Sequence, residues 1–215
     1  MKELILRNKL AWTNRNFLIS TLLGLALLLI GFIVTYYANA FATVSASNYV
    51  SDLILDNVPV MGVDFLYYRG ILIFIAFLTL ILFYEPKRIP FILKIIAVFY
   101  LVRSFFMILT HLALPIDVSS ESLSSVSNFL SSGADLFFSG HAGAPFIIAL
   151  AFWNNKTLRF IFLAGSVFGA LMVILGHMHY SIDVFSAYFI AYGIYKFCQY
   201  FFREDHQRAG LGRPI

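Results

Sequence analysis

Long apolar runs separated by short polar stretches organise this chain. A helix needs roughly 20 apolar residues to cross about 30 Å of hydrocarbon. Six runs reach or approach that length: Phe17–Tyr36, Phe65–Tyr84, Phe91–His111, Ala142–Trp153, Phe160–Leu175 and Ile182–Phe202. The fourth is short; it either starts earlier, around Ala134, or lies deep beneath a polar mouth. The pattern predicts an all-α polytopic membrane protein with six transmembrane helices. Phe17–Tyr36 reads as a span rather than a cleaved leader, because it is long and Thr35–Tyr37 ends in no convincing small-residue cleavage site.

The polar stretches carry the topology. Lys2, Arg7, Lys9 and Arg15 precede the first run, and Lys87 and Arg88 separate the second from the third. Lys156 and Arg159 separate the fourth from the fifth, and Arg203, Arg208 and Arg213 follow the sixth. With six spans these groups share one side, which the positive-inside rule assigns to the cytoplasm together with both termini. The opposite loops carry Asp52, Asp56, Asp64, Asp117, Glu121 and Asp135, with Arg69 at the edge. The basic clusters are therefore topology anchors, and the net charge of +4 implies no nucleic-acid partner. No repeat is visible, so residues 1–215 read as a single transmembrane catalytic domain with its core at about 65–200. Ser119–Ser132 is a Ser-rich outer stretch, a loop or a short amphipathic helix, and residues 203–215 read as a frayed cytoplasmic tail.

Composition agrees. Of 215 residues 60% are hydrophobic and 12% charged, about half the charged share of a soluble domain. Mean hydropathy is +0.85. Lipid is thus the main solvent, and 24 Phe and 12 Tyr suit lipid-facing and interfacial surfaces. Cys198 is the single cysteine, so there is no intrachain disulfide framework; in its apolar run it reads as a packing residue.

Against this background, ionisable residues at membrane depth are costly and mark function by default. Arg103, Ser139-Gly140-His141, His177 and the pair His179/Asp183 all fall in the outer halves of three different runs. If a helix has begun by His179, then His179 and Asp183 share one face. The carboxylate then orients the ring, holds its tautomer and leaves the other nitrogen as nucleophile or base. The bland reading is a helix-start Asp beside an interfacial His. Gly140 and His141 open the fourth span, where backbone N–H groups and the helix dipole favour an anion and an imidazole can protonate a leaving oxygen. A turn with an interfacial His fits that triplet equally well. Arg103 either clamps a phosphate through its planar fork or pairs with an outer-side Asp. His177, two residues before His179, faces elsewhere on a helix and is a second site residue or an interfacial His. Together these groups point to phosphoryl transfer, which needs a nucleophile, an acid and positive charge around the phosphoryl oxygens.

At these residues the sequence resembles the lipid phosphatase/phosphotransferase superfamily of type 2 phosphatidic acid phosphatases, and within it the sphingomyelin synthase family. Leu101-Val-Arg-Ser-Phe-Phe-Met-Ile-Leu-Thr110 with Leu114-Pro115 is similar to that family's third-span motif. Gly133-Ala-Asp-Leu-Phe-Phe-Ser-Gly-His141 is similar to its Gly-Asp…Ser-Gly-His motif. Leu175-Gly-His-Met-His-Tyr-Ser-Ile-Asp-Val184 is similar to its His-x-His-Tyr-x-x-Asp-Val motif, which brings Tyr180 into the candidate site. The resemblance covers roughly residues 65–200. It implies a double displacement: His179 attacks phosphorus and becomes a phosphohistidine, Asp183 orients it, and His141 protonates the departing alcohol and then serves as base for the incoming one. The sequence departs from the common phosphatase pattern, in which an Arg stands six residues before the nucleophilic His; here that position is Val173, and the Lys-x6-Arg-Pro motif is missing. Ala142 follows Ser-Gly-His where sphingomyelin synthases usually have Thr.

The expectation is a six-helix enzyme that transfers a phospho-head-group between membrane lipids at the outer leaflet, with ceramide or diacylglycerol as acceptor. The compact chain implies a bacterial inner membrane with the site on the periplasmic side. His141, His179 and Asp183 are the expected catalytic residues. Arg103, Ser139, Gly140, Asp135, His177 and Tyr180 are expected to bind substrate, with Asp135, and less so Asp117 or Glu121, meeting a cationic head group. No cofactor or metal is required. A lipid phosphatase or phospholipase C-type hydrolase on the same residues, and a lipid-binding or transport protein, are the alternatives; the absence of a repeat counts against transport.

Overall fold

The computed structural model describes residues 2–115 and 136–211, with Asp64 described by its backbone only. Among them the structure is helical and contains no strand. The helices are α1 Lys2–Trp12, α2 Arg15–Ser45, α3 Asp64–Tyr84, α4 Ile89–Leu109, α5 Gly140–Ala151, α6 Lys156–Leu175, α7 Ser181–Phe201 and α8 Arg203–Arg208. Single 3₁₀ turns stand at Leu55–Asn57 and Pro86–Arg88. Asn14, Ser139 and Asn155 cap α2, α5 and α6, each accepting a hydrogen bond from an N–H in the first turn.

Four stretches are long and apolar enough to cross a membrane: Arg15–Ser45, Phe65–Tyr84, Pro86–Leu109 and Lys156–Leu175. Their outer faces expose Leu22, Leu29, Leu72, Ile73, Leu80 and Leu171, surface that lipid accepts and water does not. The chain is an integral membrane protein. The other two predicted spans have a different character. α5 has 12 residues, about 18 Å of helix, and residues 136–139 before it are not helical. Ser139 fixes its start, so the helix does not reach back toward Ala134. Its Ile147, Ile148, Ala149 and Ala151 are almost fully buried, so its apolar run packs against protein rather than lipid. α7 is long enough at 21 residues, but Tyr188, Tyr192, Lys196 and Gln199 dilute its hydropathy.

α5 is the axis of the bundle. α4, α6 and α7 surround it, and Phe91, Ile95, Phe99, Phe152, Phe162, Val173, Val184 and Ala187 fill the space between. Arg88 closes its far end, donating to Ala151 O at 2.9 Å, stacking on Phe152 and pairing with Glu85. Pro145 inside α5 has no N–H for the His141 carbonyl. α6 packs against that carbonyl: a Cβ on Gly169 would lie 2.4 Å from His141 O. α2 lies outside this group and packs on α4 through small residues. Gly24, Gly31 and Ala38 recur every seven positions on its buried face. A Cβ at Gly24 would meet Leu93 Cβ at 3.0 Å, and one at Gly31 would meet Ala97 O at 3.3 Å.

The tail expectation fails for residues 203–211. α8 buries Asp205 and His206. Asp205 accepts from Lys94 Nζ at 2.5 Å and from Ser20 Oγ at 2.7 Å. His206 packs on Phe91, with Tyr195 Oη at 3.3 Å and Gln199 Nε2 at 3.1 Å from its Nε2. Lys94 is thus a buried charge that span-by-span reading passed over as part of an apolar run. The expectations for Asp117, Glu121, Asp135 and Ser119–Ser132 lie outside the described residues.

Candidate active site

The site forms where α6 ends and α7 begins. α6 closes with paired backbone bonds: Met178 N–H donates to Val173 O at 2.9 Å and His177 N–H to Ile174 O at 3.0 Å. This closure requires a left-handed residue, and His177 supplies it with φ 51°. The chain bends at His179 and is extended at Tyr180, which precedes the first turn of α7.

His179 therefore lies before the helix, not on its face. Its contact with Asp183 comes from helix capping. Asp183 is the third residue of α7, and its Oδ2 accepts from Tyr180 N–H at 3.1 Å. The same oxygen lies 3.5 Å from His179 Nδ1. That is an ion-pair distance rather than a formed hydrogen bond. Neither His179 Nδ1 nor Asp183 Oδ1 completes a hydrogen bond among the described residues, although both side chains are almost fully buried. Unsatisfied buried polar atoms are rare, and catalytic hydrogen bonds often tighten only around substrate.

A second strand of support comes from the α2–α3 loop. Ser181 N–H donates to Asp52 Oδ2 at 2.7 Å, and Val50 N–H to Tyr180 Oη at 3.3 Å. Met61 N–H donates to Leu175 O at 2.8 Å, and His177 Nε2 lies 3.0 Å from Val58 O. Tyr180 Oη in turn donates to Ala113 O at 2.9 Å. Asp52 anchors the loop by also accepting from Ile54 and Leu55 N–H. Burial tends to raise its pKa, but the hydrogen bonds from Ser181, Leu55 and Ile54 outweigh burial and hold the carboxyl below its ordinary 3.8.

His141 reaches the same place from α5. Ser139 is fully buried and caps the helix, and its N–H donates to Asp183 O at 3.0 Å, stitching α5 to α7. The His141 and His179 rings lie 6.2 Å apart, inclined at 54°. Tyr67 of α3 packs on His141 with ring centroids 4.4 Å apart, and its Oη is 3.4 Å from His141 Nδ1. Arg103 of α4 is buried and donates from Nε to Phe138 O at 2.7 Å. A Cβ built on Gly140 would lie 3.5 Å from Arg103 Nε and 3.7 Å from Cζ, so the guanidinium rests against the start of α5.

The structure thus brings together His141, His179, Asp183, Arg103, Ser139 and Gly140. His177 and Tyr180 adjoin them in sequence, but the bonds of their side chains go to the loops: His177 to Val58, Tyr180 to Val50 and Ala113. Asp135 lies outside the described residues. Sequence reasoning missed Tyr67, which belongs to no motif, and placed Asp52 among ordinary loop acids. In chemical terms, Asp183 beside Nδ1 leaves His179 Nε2 available, and Tyr67 beside Nδ1 leaves His141 Nε2 available. A fixed guanidinium beside a helix N-terminus suits a phosphate.

Residues 133–200, close to a third of the chain, match the family described as PAP2 superfamily C-terminal. The match takes in Ser139, Gly140, His141, His177, His179, Tyr180 and Asp183 and leaves Asp52, Tyr67 and Arg103 outside. No curated protein and no solved structure matches the chain. Members of that superfamily are lipid phosphatases or phosphotransferases, and the match supports an enzyme that acts on membrane lipids.

Proposed function

We propose that this protein is a lipid phosphotransferase that moves a phospho-head-group from one lipid to another through a phosphohistidine at His179, as sphingomyelin synthases do. The observation that carries the reading is His179, held beside Asp183, facing His141 across 6.2 Å. An attacking atom stands about 3–3.5 Å from its target, and a proton donor needs a further ~3 Å to its acceptor. The two rings are spaced on that scale.

In the first step His179 Nε2 attacks phosphorus. The N–P bond forms as the P–O bond to the donor lipid's alcohol breaks, and His141, as imidazolium, gives its Nε2 proton to that oxygen. In the second step a lipid hydroxyl, of ceramide or diacylglycerol, gives its proton to His141 and attacks phosphorus. The N–P bond breaks and both histidines regain their starting states. Asp183 holds the His179 ring through Nδ1 and balances its positive charge. Tyr67 does the corresponding orienting work at His141. Arg103 and the first N–H groups of α5 hold the phosphoryl oxygens.

The same reading gives six crossings, with α5 at the centre of the bundle and α7 turning Ile182, Phe185, Phe189 and Phe197 toward lipid. The basic ends then face the cytoplasm with both termini, and the histidines open laterally to the outer leaflet, where substrate tails stay in the bilayer.

The test is a product analysis on purified protein in lipid micelles with mixed phospholipid donors and fluorescent ceramide and diacylglycerol, and with His179→Ala as blank. A new fluorescent phospholipid absent from the blank is expected and names the acceptor. Donor loss with released phospho-head-group or phosphate, and no labelled phospholipid, would make the enzyme a hydrolase. Turnover in the His179→Ala sample equal to that of the native protein would sink the phosphohistidine.

A further inference from the structure

At the end of the bundle away from the histidines, α2, α4, α8 and the end of α7 line an open cavity of about 620 Å³, within the range of small-molecule sites. Lys94, on its wall, precedes Arg103 by nine residues of α4, about 14 Å along the helix axis. Its floor is a closed polar unit: Lys94 Nζ donates to Asp205 Oδ2 at 2.5 Å and to Ser20 Oγ at 2.7 Å, all three side chains being buried. The floor is charge-balanced, so any ligand charge must be met at the mouth. There Arg203 and Arg208 stand against Glu204. Arg208 is partly engaged, 3.3 Å from Glu204 and 3.5 Å from Asp205. Arg203 is exposed and forms no ion pair among the described residues. The lining as a whole carries three cations and two carboxylates, one positive charge in excess.

One flank of the cavity is apolar and open to lipid. Ile19 and Leu23, one turn apart on α2, are 46% and 55% exposed, and Phe201 at the end of α7 is 64% exposed. A polar recess with excess positive charge at its mouth, continuous with an exposed apolar strip, matches an amphiphile with an anionic head.

We propose that this cavity binds an anionic phospholipid. Its phosphate is held by Arg203 and Arg208, its polar head group lies over the Lys94–Asp205–Ser20 floor, and an acyl chain runs along Ile19 and Leu23. The proposal rests on the chain being an integral membrane protein and not on the histidine chemistry. Occupancy ties α8 to α2, so the lipid stabilises the basic end of the bundle.

The experiment is thermal unfolding of delipidated full-length protein in neutral detergent. Phosphatidylglycerol, phosphatidylcholine or inorganic phosphate is added to the native protein, Arg203→Gln, Arg203→Gln/Arg208→Gln and His179→Ala. Phosphatidylglycerol at a hundredfold excess over its Kd should raise Tm by roughly 5–10 °C in the native protein. His179→Ala should show the same rise, Arg203→Gln less than half of it, and the double variant almost none. Phosphatidylcholine and phosphate should move Tm by less than a third as much. Arg203 has no ion-pair partner among the described residues, so its variant tests the site with little risk to the fold. An equal rise in the double variant, an equal rise with phosphatidylcholine, or no rise at all would overturn the proposal. A rise with phosphate alone would replace the lipid by a free anion, and loss of the rise in His179→Ala would move the lipid to the histidines.

Discussion

Asp183 performs two tasks with one carboxylate: it caps α7 through Tyr180 N–H and stands beside His179 Nδ1. The two can be separated. The amide oxygen of an Asn at this position can still accept from Tyr180 N–H, but the side chain carries no charge to balance an imidazolium. Asp183→Asn should therefore keep Tm within about 2 °C while lowering turnover by about 100-fold or more. Turnover near the native level in a variant with native Tm would remove the orienting role. Asp52 is the second residue-scale case, and pH reports on it. Its folded pKa lies below the ordinary 3.8, so the charged form is favoured by folding. Its stabilisation is fully present above about pH 4 and is lost as pH falls through the depressed value. Asp52→Asn should cost about 2 kcal/mol at pH 7, and the Tm gap to the native protein should narrow steadily as pH falls below about 4. A gap that is constant with pH would mean that shape, not charge, holds the loop. At this scale the sequence was informative where chemistry and motif coincide, as at His141, His179 and Asp183. It was silent on Tyr67, because an aromatic in an apolar run carries no mark of the imidazole it will face. It was also misleading about why His179 meets Asp183: their four-residue spacing suggests a helix face, whereas the structure reaches the contact through an N-terminal cap.

The elements show which local signals survive packing. Helices α3, α4 and α6 lie close to the predicted runs, because length and hydropathy leave a lipid-facing helix few alternatives. α5 was predictable in position but not in role: its short apolar run packs against neighbours, and burial by protein reads the same as burial by lipid. The α2–α3 loop was illegible as a frame: each of its bonds to the 175–181 turn takes a backbone group on at least one side, and a backbone group carries no residue signature. Close approach at glycine was equally hidden, and it gives a paired test on one helix. A Cβ at Gly169 would meet His141 O at 2.4 Å, whereas one at Gly165 would meet nothing within 4 Å. In a helix interior Gly→Ala ordinarily gains up to about 1 kcal/mol. Gly165→Ala should thus hold or raise Tm and keep full activity. Gly169→Ala should push α6 off the start of α5, cost a net 1–3 kcal/mol or so, and lower turnover at least about tenfold by displacing His141. Equal behaviour of the two variants would show that the α5–α6 contact does not hold the site.

Across the whole molecule, the bundle is closed at both ends by polar contacts, and the two closures differ in kind. At the histidine end the bonds are largely to backbone, and His179 Nδ1 and Asp183 Oδ1 complete no hydrogen bond among the described residues. At the other end Lys94, Asp205 and Ser20 satisfy one another and draw α8 onto α2 and α4. A buried ion pair gives little net stability over an apolar replacement, but removing one partner leaves a charge stranded. Lys94→Met alone should therefore cost about 3–5 kcal/mol, and Lys94→Met/Asp205→Leu should recover most of that loss. Thermal unfolding of both variants against the native protein checks the order. If the closure is local, the double variant should also keep native turnover, because α8 follows the end of α7 opposite to the one that carries Asp183. A double variant as unstable as the single one would mean that the three groups stabilise the fold outright. A stable double variant without activity would mean that the two ends are coupled through α4, the helix that carries both Lys94 and Arg103.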